Sequence, residues 1–85
     1  MPYSVSIKRS AEKEIDDLPV GIFERVASAI LELEAEPRPP GCVKLRGMDK
    51  FRIRVGSYRI LYTIDDERLS VRVVAVGHRG DVYRK

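Results

Sequence analysis

Eighty-five residues, 44% of them hydrophobic, with 16 Lys or Arg against 13 Asp or Glu for a net charge of +3, describe one domain (1–85) with a modest core and no room for a second. The single cysteine, Cys42, excludes an internal disulfide, has no cysteine or histidine at metal-ligand spacing, and reads as an unremarkable loop or strand-edge residue in a reducing compartment. No apolar run approaches membrane-spanning length and the start lacks signal-peptide form, so a cytoplasmic protein with no membrane partner is expected.

Tyr3 to Ile7 alternates as a strand, with Tyr3, Val5 and Ile7 on one side. A short helix follows, with Ser10 as its expected N-cap, Glu12 and Glu14 at its positive end, and Ala11, Ile15 and Leu18 on one face. Pro19 disfavours helical geometry at Leu18 and ends it. A second helix begins near Pro19 or Val20 and carries Ile22, Val26, Ile30 and Leu33 at helical spacing, with Phe23 and Ala27 widening the stripe. The run Pro37-Arg38-Pro39-Pro40-Gly41 is a rigid connector. Lys44 to Gly47 lead into a hairpin, the turn Asp65-Asp66-Glu67-Arg68 follows it, and a last strand runs from Leu69 to about Val76, with Gly77 ending or bulging it. The expected class is α+β: strand, helix, helix, then a three-strand antiparallel meander, both helices on one sheet face.

The hairpin, Phe51 to Ile64, carries the functional signal. Apolar residues alternate with Arg52 and Arg54, and Gly56-Ser57 fits a two-residue type II′ turn, which pairs Val55 with Tyr58. Arg54 then lies opposite Arg59, and Arg52, opposite Leu61, shares their face. Like charges opposite each other destabilise a sheet. Exposed arginines can simply splay into water, but three in one small area, with no acidic residue inside the hairpin, suit phosphate oxygens better. Charge is also split along the chain: residues 1–42 have a net charge of −3 and residues 43–85 of +6, so the sheet half pulls on nucleic acid.

The chain closes on His78, Arg79, Asp81, Tyr83 and Arg84. Two readings stand for this segment: a frayed terminus, or a second cluster in which Arg79 joins the trio and Tyr83 stacks on a base. His78 is either structural or the one side chain whose unperturbed pKa permits proton transfer near neutrality.

Lys44-Leu45-Arg46-Gly47, the hairpin FRIRVGSYRILYTI with Asp65, and Val76-Gly77-His78-Arg79 with Asp81-Val82-Tyr83 together resemble the RelE-type toxins of the RelE/ParE superfamily, over nearly the whole chain. The resemblance implies the RelE-like microbial ribonuclease fold. It also implies a ribosome-dependent mRNA endoribonuclease that cuts in the A site by 2′-hydroxyl attack on the adjacent phosphate, with no metal or other cofactor. On this pattern Arg59 holds the scissile phosphate, Arg79 serves the leaving 5′-oxygen and Tyr83 orients the mRNA. Arg52 and Arg54 take positions where some relatives have lysine. Lys44, Arg46, Lys50 and Arg84 would contact mRNA or 16S ribosomal RNA. Arginine at position 52 cannot serve as general base, which leaves His78 as the candidate, although simple alternation puts it on the opposite face from Arg79.

A toxin of this kind implies a cognate antitoxin that folds as it binds, in a hetero-oligomer. No helix follows Tyr83, so control by a C-terminal helix is not expected. Two other functions share the fold: a ParE-like inhibitor of DNA gyrase, and a catalytically weak homologue that binds only its antitoxin.

Overall fold

The computed structural model describes residues 2–78. Five strands and two helices run in the order β1 (Ser4–Ile7), α1 (Arg9–Asp16), α2 (Val20–Glu32), β2 (Val43–Lys44), β3 (Phe51–Val55), β4 (Tyr58–Asp65) and β5 (Ser70–His78). The strands form one sheet in the order β1-β5-β4-β3-β2. Both helices cover one face of it, and the core is the seam between them: Ala11 and Ile15 of α1, Val26 and Ile30 of α2 with Leu33 beyond it, and Ile53, Val55, Ile60, Tyr62, Val71, Val73 and Val76 of the sheet.

The architecture is the expected α+β arrangement, with two additions. Val43-Lys44 is a short edge strand, so the antiparallel meander has four strands. β1 joins the sheet beside β5 and parallel to it, Val5 next to Val71 and Ile7 next to Val73. Four local expectations are corrected. The residue preceding α1 is Lys8, which makes no side-chain capping bond, so Ser10 lies inside the helix. Phe23 is exposed, and Ala29 packs against the core instead. Leu69 has φ +51 and belongs to the turn, leaving Ser70 to open the last strand. The bulge sits at Val74: Leu61 pairs with Ala75 and Tyr62 with Val73, whereas Gly77 pairs regularly with Arg59.

That bulge resets the alternation of β5. Val73 and Val76 both enter the core, Val74 and Ala75 pack with Leu61 and Leu45 on the opposite face, and His78 comes level with Tyr58. The hairpin follows the expected register throughout, Phe51 with Tyr62, Arg52 with Leu61, Ile53 with Ile60, Arg54 with Arg59 and Val55 with Tyr58. Gly56 supplies the positive φ, +60°, that a type II′ turn needs at its first central position. A Cβ there would meet only the Arg25 guanidinium, at 3.5 Å, so the cost of Gly56→Ala is conformational. It is expected to destabilise by about 1 kcal/mol or more in chemical denaturation, with the midpoint shifting and the slope unchanged.

The proline connector is clamped to the rest of the molecule. Arg38 makes two hydrogen bonds to Asp66, at 3.2 and 3.0 Å, and stacks on Phe51 at 5.3 Å. Tyr3 donates its hydroxyl to the same carboxylate at 2.7 Å. The Arg38 and Tyr3 hydrogen bonds hold the Asp66 carboxyl below its ordinary pKa, and the bond to Asp66 raises that of Tyr3. The sign follows for Asp66: the clamp is intact above the unfolded carboxylate pKa, near 4, and weakens as pH falls through the lowered folded value. Beneath the clamp, Tyr62 donates its buried hydroxyl to the Pro37 carbonyl at 2.7 Å and lies 3.3 Å from the Cys42 sulfur. Cys42 lies in the loop just before the edge strand, as expected, but half-buried against the core and in contact with Tyr62.

Candidate nucleic-acid interface

The face away from the helices is built in rows by the strand register. Nearest the hairpin tip stand Arg54, Arg59 and Gly77; the next row holds Arg52, Leu61 and Ala75, with Val43 beside Arg52; below these, Thr63 pairs with Arg72. Leu61 and Ala75 are each 3% exposed, so the middle row has an apolar floor, completed by Leu45 and Val74. Arg59 is only partly exposed, and its Nε is buried with no hydrogen-bond partner among the described residues. Neither Arg54 nor Arg59 has a carboxylate within ion-pair distance among the described residues; the carboxylates seen in ion pairs, Asp66 and Asp65, go to Arg38 and Arg68.

Cations beside an apolar floor attract anions more strongly than the same cations in bulk water, because the local dielectric is lower. Guanidinium forks also match the oxygens of a phosphodiester. Gly77 matters here for what it lacks. It is the cross-strand neighbour of Arg59 on this face, and without a side chain it leaves a notch beside that guanidinium.

Other residues singled out in the sequence are distributed as follows. Arg46 is exposed in the loop between β2 and β3, which is closed by Leu45 N–H to the Lys50 carbonyl at 2.9 Å; Lys50 is half-buried at its end. Lys44 pairs with Phe51, whose side is covered by the helices, so the register puts it at the sheet edge and off the arginine face. His78 also falls on the other side. It pairs with Tyr58, their rings meeting edge-on at 5.3 Å, and the bulge that carries Val76 into the core is the reason. The structure does not bring His78 together with Arg52, Arg54 and Arg59. Arg79, Tyr83 and Arg84 lie outside the described residues. Among the described residues no group of three or more His, Cys, Asp or Glu could hold a metal, and no helix is long and apolar enough to cross a membrane.

Sequence reasoning missed two basic residues. Arg72 is exposed on the arginine face, in a hollow that also contains Asp49, Asp65 and Glu67, so this end of the face is acidic. The alternation Val71-Arg72-Val73 could have placed it. Arg25 of α2 reaches the hairpin turn, its guanidinium lying against Gly56. No sequence signal points to that contact.

The fold, a five-stranded sheet with two helices on one face, is shared with known toxins. Residues 5–83 match the family model described as the ParE toxin of type II toxin-antitoxin systems. The chain belongs to the RelE-type toxins of the RelE/ParE superfamily. It is 38% identical to Toxin RelG of Mycobacterium tuberculosis over the full length of both chains, and 33% identical to the mRNA interferase toxin RelE of Escherichia coli K12, covering 98% of this chain and 92% of that one. Among solved structures it is similar to the RelBE2 toxin-antitoxin complex of M. tuberculosis, with a TM-score of 0.82, 34% identity and coverage of 93% of this chain and 100% of that one. The RelE-RelB complex of Pyrococcus horikoshii gives a TM-score of 0.84 at 29% identity, with 94% and 98% covered.

Proposed function

We propose that this toxin is a ribosome-dependent mRNA endoribonuclease. The observation that carries the reading is the Arg54, Arg59 and Arg52 cluster on a partly apolar floor, a site shaped for a phosphodiester. Arg59 holds the scissile phosphate and stabilises the charge that grows on it as the neighbouring 2′-hydroxyl attacks, and Arg52 and Arg54 share that charge. Similarity to an mRNA interferase supports RNA as the substrate.

Since His78 stands on the Tyr58 side, the proton of the attacking hydroxyl passes to solvent water and the leaving 5′-oxygen takes one from water in turn, while the chain's own contribution is charge stabilisation and positioning. An RNA strand presented by the ribosome in reactive geometry then accounts for selectivity, with Arg46 and Lys50 beside the face and Lys44 at its edge available to RNA backbone. Arg79 at the leaving oxygen, Tyr83 on a base and Arg84 on the backbone complete the proposal from family resemblance. The partner is a cognate antitoxin, in keeping with the RelBE-type complexes to which the fold is similar.

The second reading is a ParE-like inhibitor of DNA gyrase; the matching family model is described as a ParE toxin. Primer extension on an mRNA translated in vitro separates the two. Cuts in codon register that require ribosomes are expected; intact mRNA together with loss of gyrase supercoiling would replace the nuclease reading.

A further inference from the structure

Besides its apolar packing, α1 reaches the end of β5 with a hydrogen bond from Glu14. β1 stops pairing at Val73, where the Lys8 N–H donates to the Val73 carbonyl at 2.8 Å, so among the described residues the edge of β5 beyond that point has no neighbouring strand. The Val76 N–H points to this edge, away from β4. Val76 is 1% exposed, and its amide cannot turn to water. Glu14 of α1 accepts it with Oε1 at 2.9 Å, across 62 residues of sequence. A carboxylate on a buried backbone donor makes a short, strong hydrogen bond, and a donor left without one is costly.

The place of this bond gives it a second consequence. Val76 lies two residues past the bulge, and the bulge decides which side of the sheet each later residue faces. With it, Gly77 stands beside Arg59 on the arginine face and His78 meets Tyr58 on the other. Without the bulge the register set by Tyr62 and Val73 continues, putting Val76 opposite Arg59 and Gly77 opposite Tyr58, so that a valine side chain fills the notch and His78 loses its place beside Tyr58. The β4 pairing alone opposes that change weakly, because Val73 to Val76 reads Val-Val-Ala-Val and tolerates either parity.

We infer that Glu14, on the helical layer and outside the arginine face, is a positioning residue for that face: by holding the Val76 amide it fixes the bulge and keeps the notch beside Arg59 open. The inference rests on the nuclease reading for its effect on rate, but not for its effect on register.

The test uses Glu14→Ala and Glu14→Gln in the full-length toxin, at a temperature where both are folded by circular dichroism. In Glu14→Ala, amide exchange at Val76, Gly77 and His78 is expected to accelerate and the Tyr58–His78 ring contact to weaken in nuclear Overhauser spectra, while Val71 and Val73 keep their protection. Single-turnover cleavage on programmed ribosomes is expected to fall about 10- to 100-fold with ribosome affinity little changed, because small misplacements are amplified in rate. Glu14→Gln, whose amide oxygen can still accept the bond, is expected to recover most of both. Unchanged exchange and ring contact in Glu14→Ala would overturn the inference, as would loss of protection spread evenly over β5. A register change with no cleavage by the wild type would count against the nuclease reading and leave the role of Glu14 in place.

Discussion

Arg59→Ala is expected to slow cleavage by roughly two to three orders of magnitude while leaving the fold intact or slightly firmer. The guanidinium sits at the centre of the top row, between Arg54 and the notch at Gly77, and its Nε has no hydrogen-bond partner among the described residues to lose. Removing one preorganised donor from a site where charge develops costs about 10²- to 10³-fold in rate. The same change relieves the cross-strand repulsion between Arg54 and Arg59, of the order of a few tenths of a kcal/mol, against which stands the packing of the arginine stem. Activity and stability should therefore part company. Single-turnover cleavage read beside a urea melt checks this, and a variant that loses both in proportion would show that Arg59 serves the fold and not the site.

The largest structural loss is expected at Tyr62. This side chain is completely buried, stacks on Phe51 with ring centroids 5.9 Å apart, and ties the proline connector to β4 through the Pro37 carbonyl. Tyr62→Ala removes an aromatic ring from the centre of a small core, a change that costs about 3–5 kcal/mol. In a domain of this size that is most of the available stability, and the variant should be largely unfolded at 37 °C. Tyr62→Phe keeps the ring and strands the carbonyl, so a loss nearer 1 kcal/mol is expected. Burial first, and then the Cys42 hydrogen bond, push the Tyr62 hydroxyl well above the ordinary tyrosine pKa. Its folded value therefore exceeds its unfolded one. The stabilisation is complete below pH 10 and declines as pH rises beyond it, because the unfolded chain releases a proton that the folded chain retains. Urea melts should show that alkaline decline in the wild type and a shallower one in Tyr62→Phe, where the raised pKa of Tyr3 remains.

The parts of this molecule that could be read from the sequence are those set by neighbouring residues. The hairpin register follows from strict alternation around Gly56-Ser57, and it places Arg54 opposite Arg59 before any long-range contact is known. Non-local features were not legible. Parallel pairing of β1 with β5 joins residues 66 apart, and nothing in Ser4–Ile7 names its partner. The bulge at Val74 is hidden because the residues around it are apolar on either parity, and this is why His78 could be offered as a base although it lies away from the arginines. Cys42 reads as incidental until Pro37 and Tyr62 are seen beside it.

Arginine placed against arginine also couples folding to occupancy. The empty toxin carries a mutual repulsion that any bound polyanion, whether an RNA backbone or an acidic partner segment, cancels, so by mass action the occupied form is the harder one to unfold. A toxin molecule without a partner is then the one most readily opened and degraded, and its lifetime in the cell is set in part by the company it keeps.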